Sequence, residues 1–290
     1  MTLRAQIKRL RQKLINVCES DDEAVFEARI IMSALLSCDF TSLLLMMDDE
    51  IPDDISAKAE SIAAERLSHS PLYYCLGRAP FCGREFIVND SVLIPRPETE
   101  ELAEKATYYI KNRNARKALD LCTGSGCIAV TLKLECPSAD VFASDLSAAA
   151  IDTAKRNAEA LGAEIAFIKS DLFGSIAESD FELIVSNPPY IDTKSCNELS
   201  EDVKREPTLA LDGGADGLDI YRRIAEGISG KLAEGGALLL EIGYDQGKTV
   251  PKLFDGMFDS ASVIKDISGN DRIVMLCGFK PDKGEILSGR

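Results

Sequence analysis

The chain has 290 residues, which is long enough for one large domain with a smaller companion. Its formal net charge of −15 opposes nonspecific binding to nucleic acid, because that affinity comes largely from Lys and Arg contacts with phosphates. The nine cysteines include no Cys-x-x-Cys pair and His69 is the single histidine, so we expect no metal site. Unclustered thiols suit a reducing compartment.

Residues 1–72 are predicted to form a small bundle of helices. Apolar residues recur at three- and four-residue steps in the first segment, at Leu3, Ile7, Leu10, Leu14 and Val17. A second helical segment follows, with Asp21 or Asp22 placed to cap its first turn, and a third covers Ile55 to Ser68. His69 is predicted to end the bundle rather than to act as a ligand or a base.

The first thirteen residues also carry a basic face without any acid. Its members are Arg4, Lys8, Arg9, Arg11 and Lys13. A solvated helix face is favoured over an RNA-binding patch. The segment lacks the uninterrupted apolar core of a signal peptide, and no apolar run is long enough to span a bilayer. We therefore expect a cytoplasmic protein without a membrane partner, and a monomer, since no oligomerisation signal is present.

Residues 73–95 read as a β-hairpin connector, because Gly, Pro and Asn-Asp breakers separate short β-rich runs. A third region, residues 96–290, follows it. Pro97 lies near the first turn of its opening helix, where acids face the positive helix end.

From about Lys117 the pattern alternates strand and helix. The predicted strands are KALDLC, DVFASD, AEIAFIKSD, FELIVSN, GALLLEIG and two in ASVIKDISGNDRIVMLCG, joined by a tight turn. The segments GLDIYRRIAEGISGKLAEGG and QGKTVPKLFDGM are predicted to be helical. This alternation predicts an α/β fold with a mostly parallel sheet, helices on both faces and an antiparallel edge hairpin.

Polar or glycine residues follow the first three of these strands. A Gly-rich turn follows the first strand, where glycines let the backbone turn sharply and let a ligand approach the main chain. Asp145 ends the second strand, where a carboxylate can accept both hydroxyls of a ribose. Asp171 ends the third, where it could accept from an adenine amino group while Leu172 covers the ring. The pattern predicts a nucleotide-bearing cofactor. NAD is one candidate, although the turn lacks the Gly-x-Gly-x-x-Gly spacing.

The fourth strand ends in Asn-Pro-Pro-Tyr, residues 187–190. This motif suits methylation of a planar amino group, which is a poor nucleophile because its lone pair is delocalised. The Asn187 side-chain oxygen and the Pro188 carbonyl could accept hydrogen bonds from such an NH2 group. Pro188 and Pro189 fix the backbone and remove competing N–H donors, and Tyr190 offers a flat face for a planar substrate. We interpret all four as catalytic residues.

The alternation and the antiparallel final hairpin resemble the class I S-adenosylmethionine-dependent methyltransferases. The resemblance implies a Rossmann-like, seven-stranded sheet and S-adenosylmethionine as cofactor. Carried over, the cofactor-binding residues are Cys122, Thr123, Gly124, Ser125 and Gly126 for the methionine part, Asp145 for the ribose, and Asp171 with Leu172 for the adenine, with Asn187 beside them. Asp120 would support the methionine amino group. Cys122 stands where that family usually has a glycine.

Wider similarity points to one family of amino methyltransferases. The similar segments span about residues 70–279 and are PLYYCLGRAPFCGREFIVNDSVLIPRPETEEL, LDLCTGSGCIAV, SDLF, IVSNPPYI and SGNDRIVML. These segments resemble the HemK/PrmC family of protein-(glutamine-N5) methyltransferases, which modify the Gly-Gly-Gln glutamine of peptide chain release factors. The resemblance implies that residues 187–190 bind the glutamine amide and that residues 1–72 recognise the release factor. Within PRPETE, Arg96 and Glu98 are assigned to stability rather than to catalysis.

Two other functions remain as alternatives. The Asn-Pro-Pro-Tyr motif and the basic N-terminal face also fit an N6-adenine methyltransferase acting on nucleic acid. The acidic chain and the lack of a basic target-recognition domain disfavour it, so we expect no stable nucleic acid partner. A non-enzymatic binding module is the third interpretation, and the complete set of candidate site residues disfavours it.

Overall fold

The structure is a computed structural model that describes residues 1–281; the end of the predicted methyltransferase domain 96–290 lies outside this range. The chain divides into two compact units. The helical unit comprises Met1–Ala79 and Ser200–Arg205, and the sheet unit comprises Pro80–Leu199 and the chain from Glu206 onward. The sequence pattern had assigned residues 200–205 to the second domain. Within residues 1–281, every helix is too short or too polar to cross a bilayer.

Five helices form the helical unit: α1 Leu3–Leu14, α2 Asp21–Leu36, α3 Phe40–Leu45, α4 Asp53–Arg66 and α5 Leu72–Leu76. The N-termini of α1, α2 and α3 are capped by side chains that accept from backbone N–H groups left free in the first turn. The cap of α2 is Ser20, which accepts from the N–H of Glu23, so the predicted caps Asp21 and Asp22 lie instead in its first turn. The apolar stripe of α1 packs into one core with α2 and α4.

A buried cation lies at the centre of the helical unit. The Arg66 side chain is fully buried, and its Nε donates to both carboxylate oxygens of Glu27 at 3.1 and 3.0 Å. Its Nη2 pairs with Asp202 at 2.6 Å, which places residue 202 in this unit. Burial alone would lower the pKa of Arg66, but the two carboxylates outweigh it and raise the pKa. The charge is thus compensated from two sides.

The segment between the two predicted domains holds helix α5 and a two-stranded hairpin, β1 Arg78–Phe81 and β2 Arg84–Ile87. Phe81 and Phe86 pack edge to face and belong to the sheet unit's core. Helix α6, Pro97–Arg113, then starts with a proline and two acids in its first turn, as predicted. A proline suits this position because its missing N–H would have no helical partner there.

Seven strands form the main sheet: β3 Lys117–Leu121, β4 Asp140–Asp145, β5 Ala166–Lys169, β6 Phe181–Ser186, β7 Leu232–Glu241, β8 Phe258–Lys265 and β9 Asp271–Phe279. Their order is β5-β4-β3-β6-β7-β9-β8, and β9 runs antiparallel to both of its neighbours, β7 and β8. The connecting helices are α7 Cys127–Glu135, α8 Ala148–Leu161, α9 Thr193–Cys196 and α10 Asp219–Gly227. The predicted α/β fold with a mostly parallel, seven-stranded sheet is confirmed.

Successive residues of the central strands enter two different cores. Ala118 belongs to one apolar cluster, whereas Leu119 and Leu121 belong to the other. In β6 the same alternation separates Leu183 from Ile184. Because side chains alternate across a strand, a strand that is apolar on both sides must be covered on both faces. This explains why the predicted strands read as continuous apolar runs.

Two predicted helices differ from the structure. The segment QGKTVPKLFDGM contains only a single 3₁₀ turn, Pro251–Phe254, and Gly256 follows it with a φ of 80°. In the other segment, GLDIYRRIAEGISGKLAEGG, the helix ends at Gly227. Strand β7 already begins at Leu232, which lies opposite Phe181 of β6. Pairing with a buried neighbouring strand decides the conformation there, which local helical pattern cannot reveal.

Candidate active site

An open cavity lies in the sheet unit at the carboxyl ends of β3, β4 and β6. Strand β3 is flanked by β4 on one side and β6 on the other, so the strand order reverses here. Such a switch point is where α/β sheets bind ligands. The cavity measures about 1200 Å³ including the solvent at its mouth. Most predicted site residues line it: Cys122, Thr123, Gly124, Ser125, Asp145, Asp171, Leu172, Asn187 and Pro189.

The Gly-rich turn is built from residues with left-handed backbone. Cys122 has a φ of 59°, a conformation that glycine adopts freely but that costs a residue with a Cβ about 1 kcal/mol. Gly124 has a φ of 55°, and a Cβ added there would meet nothing within 4 Å, so its main chain is open to a ligand. A Cβ on Gly126 would lie 2.9 Å from the Cβ of Ala154, so this glycine permits α7 to approach α8. Gly126 is not among the cavity-lining residues.

Asp120 lies beneath the turn and is completely buried. Its Oδ2 accepts from the Thr123 hydroxyl at 2.6 Å and from the Ala129 N–H at 3.1 Å. Its Oδ1 has no hydrogen-bond partner among the described residues. Burial raises the pKa of Asp120 to about 7, against the two hydrogen bonds. A buried carboxyl oxygen without a partner suits a site that receives a polar ligand group.

Asp145 connects the turn to the next helix. Its Oδ2 accepts from the Gly124 N–H and its Oδ1 from the Ser147 N–H, each at 2.9 Å. Burial raises the pKa of this carboxyl against those hydrogen bonds. A carboxylate offers about four acceptor positions, so about two remain for ligand hydroxyls. The carboxylate can therefore hold the turn and a ribose at the same time.

Asp171 and Leu172 line the cavity after β5. Asp171 is half exposed, and its Oδ1 accepts from Arg223 Nη2 at 2.7 Å. Leu172 is buried and has a φ of 46°, which is uncommon for a residue with a branched side chain. Arg223, a cavity residue on α10, was not identified from sequence. One Asp171 oxygen remains for the predicted adenine amino group.

The Asn-Pro-Pro-Tyr segment divides between the cavity and the core. Asn187 and Pro189 line the cavity, whereas Pro188 is buried outside its lining. Tyr190 packs against the core, and its backbone carbonyl accepts from Gln246 Nε2 at 3.0 Å. Burial raises the pKa of the Tyr190 phenol to about 12, so the group is neutral near pH 7. The predicted cover of the substrate by Tyr190 stays a prediction.

The side chain of Asn187 is anchored by the PRPETE segment. Its Nδ2 donates to the hydroxyl of Thr99, on α6, at 3.1 Å. Arg96 in the same segment forms an ion pair with Glu206, whose other oxygen accepts from the Ile94 N–H at 3.0 Å. The segment thus lies at the site. Arg96 holds local chain geometry, whereas Thr99, which sequence reasoning did not single out, contacts a candidate catalytic residue.

Another unpredicted residue, Asn157 of α8, joins the hairpin to the Gly-rich turn. Its Nδ2 donates to the carbonyls of Ser125 at 2.8 Å and Ile87 at 3.0 Å, and its Oδ1 accepts from the Ile87 N–H at 2.6 Å. The chain that leaves the hairpin, residues 91–96, consequently lines the cavity. An asparagine inside an ordinary helix carries no sequence signal for such a role.

Two family models match this chain. One is the "PrmC N-terminal domain", over residues 6–77, and the other is the "Methyltransferase small domain", over residues 105–206. The first match falls within the helical unit. The second contains the Gly-rich turn, Asp145, Asp171 and residues 187–190.

Curated relatives match over nearly the whole chain. A release factor glutamine methyltransferase of Cereibacter sphaeroides is 41% identical over 276 residues, covering 94% of this chain and 95% of the relative. One of Neisseria gonorrhoeae is 40% identical, covering 86% and 92%. One of Streptococcus pneumoniae is 37% identical, covering 95% and 98%.

A solved structure with low sequence identity to this chain supports the same fold. The catalytic domain of human Mettl16, in complex with an RNA hairpin of the MAT2A 3′UTR, superposes with a TM-score of 0.54 at 13% identity. The match covers 79% of this chain and 83% of that one. At this identity the likeness concerns the methyltransferase fold alone.

Proposed function

The chain belongs to the release factor glutamine methyltransferase family, and on that premise we propose its reaction and the roles of its residues. It is an S-adenosylmethionine-dependent methyltransferase that acts on a glutamine of peptide chain release factors. We propose that the acceptor is the side-chain nitrogen N5 of the Gly-Gly-Gln glutamine. The observation that carries this proposal is Asn187, an acceptor-bearing side chain at the cavity wall, anchored from behind by Thr99.

The cavity residues fit the cofactor. S-adenosylmethionine supplies an electrophilic methyl group on a sulfonium centre. The free acceptor positions of Asp145 suit the two ribose hydroxyls, and the open main chain of Gly124 suits the methionine part. The unpartnered Oδ1 of Asp120 suits the methionine amino group, directly or through water. Each of these groups is buried or half-buried, so their hydrogen bonds act in a low dielectric.

The acceptor residues hold and orient an NH2 group. The glutamine amide nitrogen is a weak nucleophile because its lone pair is delocalised into the carbonyl. Oδ1 of Asn187 and the carbonyl of Pro188 would accept its two hydrogens, which positions the nitrogen and favours lone-pair density towards the methyl group. The prolines keep this backbone rigid. The proton leaves once nitrogen carries positive charge, so no general base is required before transfer.

Recognition of the protein substrate is assigned to the predicted N-terminal domain, residues 1–72, which lies within the helical unit. The proposal also includes a monomer that acts in the cytoplasm, where release factors function, and that makes no stable complex with nucleic acid. The net charge of −15 supports the last point, since phosphate binding depends on cations. An adenine methyltransferase shares the Asn-Pro-Pro-Tyr motif and is the competing function.

The experiment is incubation with labelled S-adenosylmethionine and purified release factor. The matched control is a release factor whose Gly-Gly-Gln is changed to Gly-Gly-Ala. Label on the wild-type factor and none on the variant supports the proposal. Equal label on both would exclude the Gly-Gly-Gln glutamine as acceptor. Label on DNA or RNA but not on protein would establish the competing function.

A further inference from the structure

Behind the acceptor site lies a buried polar pair that the proposed chemistry does not yet use. Thr99 and Glu241 are 3% and 1% exposed. Glu241 ends β7, and its neighbour Leu240 lies opposite Ser186 of β6, so the strand register brings residues 187 and 241 side by side. Thr99 reaches this point from the first turn of α6. Three separate elements therefore meet at the Asn187 amide.

Glu241 has a buried carboxyl whose pKa is affected by the neighbouring Thr99. Burial raises the pKa of Glu241 to about 7, and Thr99 is the neighbour that opposes this rise most strongly. Its Oε2 has no hydrogen-bond partner among the described residues. Arg272, whose charge also acts on Glu241, forms its own ion pair with Asp266 at 3.2 Å. Arg96 and Glu98 contribute weaker charges of opposite sign.

The chemistry of a hydroxyl then decides which end of the Asn187 amide faces it. A threonine hydroxyl has one proton to donate and lone pairs with which to accept. When that proton is donated to the Glu241 carboxylate, only lone pairs remain for Asn187. The group that contacts Thr99 must then be the Nδ2 amine, which agrees with the 3.1 Å contact from Nδ2 to Oγ1. The amide oxygen is left for the cavity that Asn187 lines.

We propose that Thr99 is a positioning residue that fixes the orientation of the Asn187 amide, so that its oxygen faces the substrate NH2 group, and that the Thr99 hydroxyl directs its own proton towards Glu241. Without the hydroxyl, the amide loses the interaction that distinguishes its two ends. A turned amide would present its own NH2 group to the substrate NH2 group, which is repulsive. The inference rests on the proposed role of Asn187 and extends it to two residues outside the Asn-Pro-Pro-Tyr motif.

The test compares Thr99→Val, which keeps the shape but removes the hydroxyl, with Thr99→Ser, which keeps the hydroxyl. Methylation of release factor is measured at saturating substrates, with cofactor affinity by calorimetry and thermal unfolding alongside. We expect Thr99→Val to lower kcat about 10- to 100-fold with cofactor affinity within twofold, and Thr99→Ser to stay within threefold of wild type. Equal impairment of both variants, or a Thr99→Val kcat within twofold of wild type, would overturn the proposal.

A double-mutant cycle separates positioning from general packing. In an Asn187→Ala background the amide is absent, so adding Thr99→Val should change kcat by less than twofold. A further loss of tenfold or more would show that Thr99 acts elsewhere. If Thr99→Val unfolds, the same cycle with Thr99→Ala decides the question.

A second readout needs no turnover. In ¹⁵N-labelled protein, the side-chain amide signal of Asn187, assigned by its loss in Asn187→Ala, should exchange with solvent at least tenfold faster in Thr99→Val than in wild type. Unchanged exchange contradicts the inference. Failure of the wild-type enzyme to label the release factor would contradict the proposed function instead, so the two failures are distinguishable.

Discussion

The two units of the chain treat buried charge in opposite ways. In the helical unit, Arg66 is buried between Glu27 and Asp202 and forms ion pairs with both. In the sheet unit, Asp120 and Glu241 are equally buried and, like Arg66 with its Nη1, each has one atom without a hydrogen-bond partner, but neither forms an ion pair among the described residues. The pKa of Arg66 is raised, which keeps it charged, whereas burial raises the pKa of each of the two carboxyls to about 7, so that both their charged and neutral forms are populated near neutral pH.

The difference corresponds to different roles. A compensated buried charge joins distant segments, and removing one partner leaves the others buried and unpaired. An uncompensated carboxyl at the end of a strand destabilises the free protein and is retained where a ligand or a catalytic group can use it. Asp120 lies under the cofactor turn and Glu241 behind the acceptor residue. The comparison predicts that Arg66 has a structural role and that Asp120 and Glu241 have functional ones, and the following predictions test it.

The largest expected effect concerns the helical unit. Arg66→Met should lower the free energy of unfolding of that unit by about 3–5 kcal/mol, because Glu27 and Asp202 lose their buried partner. Urea unfolding followed by circular dichroism measures it. Arg4→Met is the matched control, since Arg4 and Asp48 form an exposed ion pair that solvent screens and that is expected to contribute little to stability. Equal losses for both variants would contradict the structural role of Arg66.

Next in size is the acceptor residue. Asn187→Ala should lower kcat about 100- to 1000-fold, since it removes an oriented hydrogen-bond acceptor from the reacting nitrogen. Cofactor affinity should be retained. Steady-state kinetics and calorimetry give both values, with Asn112→Ala as control because Asn112 is exposed and bonds only to the Tyr108 carbonyl. Turnover within a few-fold of wild type would exclude the role assigned to Asn187.

A pH dependence follows from Asp120. Its pKa of about 7 in the folded protein exceeds the ordinary value of 3.8, so between these values the folded state binds an extra proton. Stability conferred by the neutral carboxyl is therefore lost as pH rises, and the loss is complete above about pH 7. In the absence of cofactor, Asp120→Asn should gain stability over wild type by about 2–3 kcal/mol on going from pH 5 to pH 8.

Urea unfolding at the two pH values checks this prediction. Asp140→Asn serves as control, because Asp140 is exposed at the start of β4. Parallel behaviour of Asp120→Asn and wild type would show that Asp120 is ionised without cost. The same variant should bind S-adenosylmethionine more weakly if the Asp120 carboxylate supports the methionine amino group.

The smallest expected effect concerns the ribose. Asp145→Ala should weaken cofactor binding about tenfold, which corresponds to about 1.4 kcal/mol, because the hydroxyls lose their acceptor and Gly124 loses its anchor. Calorimetric titration measures this, with Asp152→Ala, an exposed residue of α8, as control. An unchanged dissociation constant for Asp145→Ala would refute the ribose assignment.

Sequence pattern predicted the strand–helix alternation, and five strand segments and the final hairpin agree with the structure. It also identified the residues at the ends of β3, β4, β5 and β6, because the carboxyl ends of parallel strands meet at one edge. It was wrong about the helix around Pro251 and about the C-terminal half of the helix that begins near Asp219. Around Pro251, proline and glycine prevent a helix despite apolar residues spaced three to four apart. After Gly227, pairing of β7 with β6 imposes a strand on a segment with the same spacing.

The amino-acid sequence by itself determined the fold class, the cofactor edge and the Asn-Pro-Pro-Tyr acceptor motif, since each depends on neighbours along the chain. Tertiary structure alone decided that Gly126 permits α7 and α8 to pack closely and that Arg223 donates a hydrogen bond to one oxygen of Asp171. It also decided that Thr99 and Glu241 lie close to Asn187. Residues 99, 187 and 241 are far apart in sequence. The hydrogen bond from Asn187 to Thr99 depends on the placement of α6, and the proximity of residues 187 and 241 depends on strand register. Short-range periodicity contains neither.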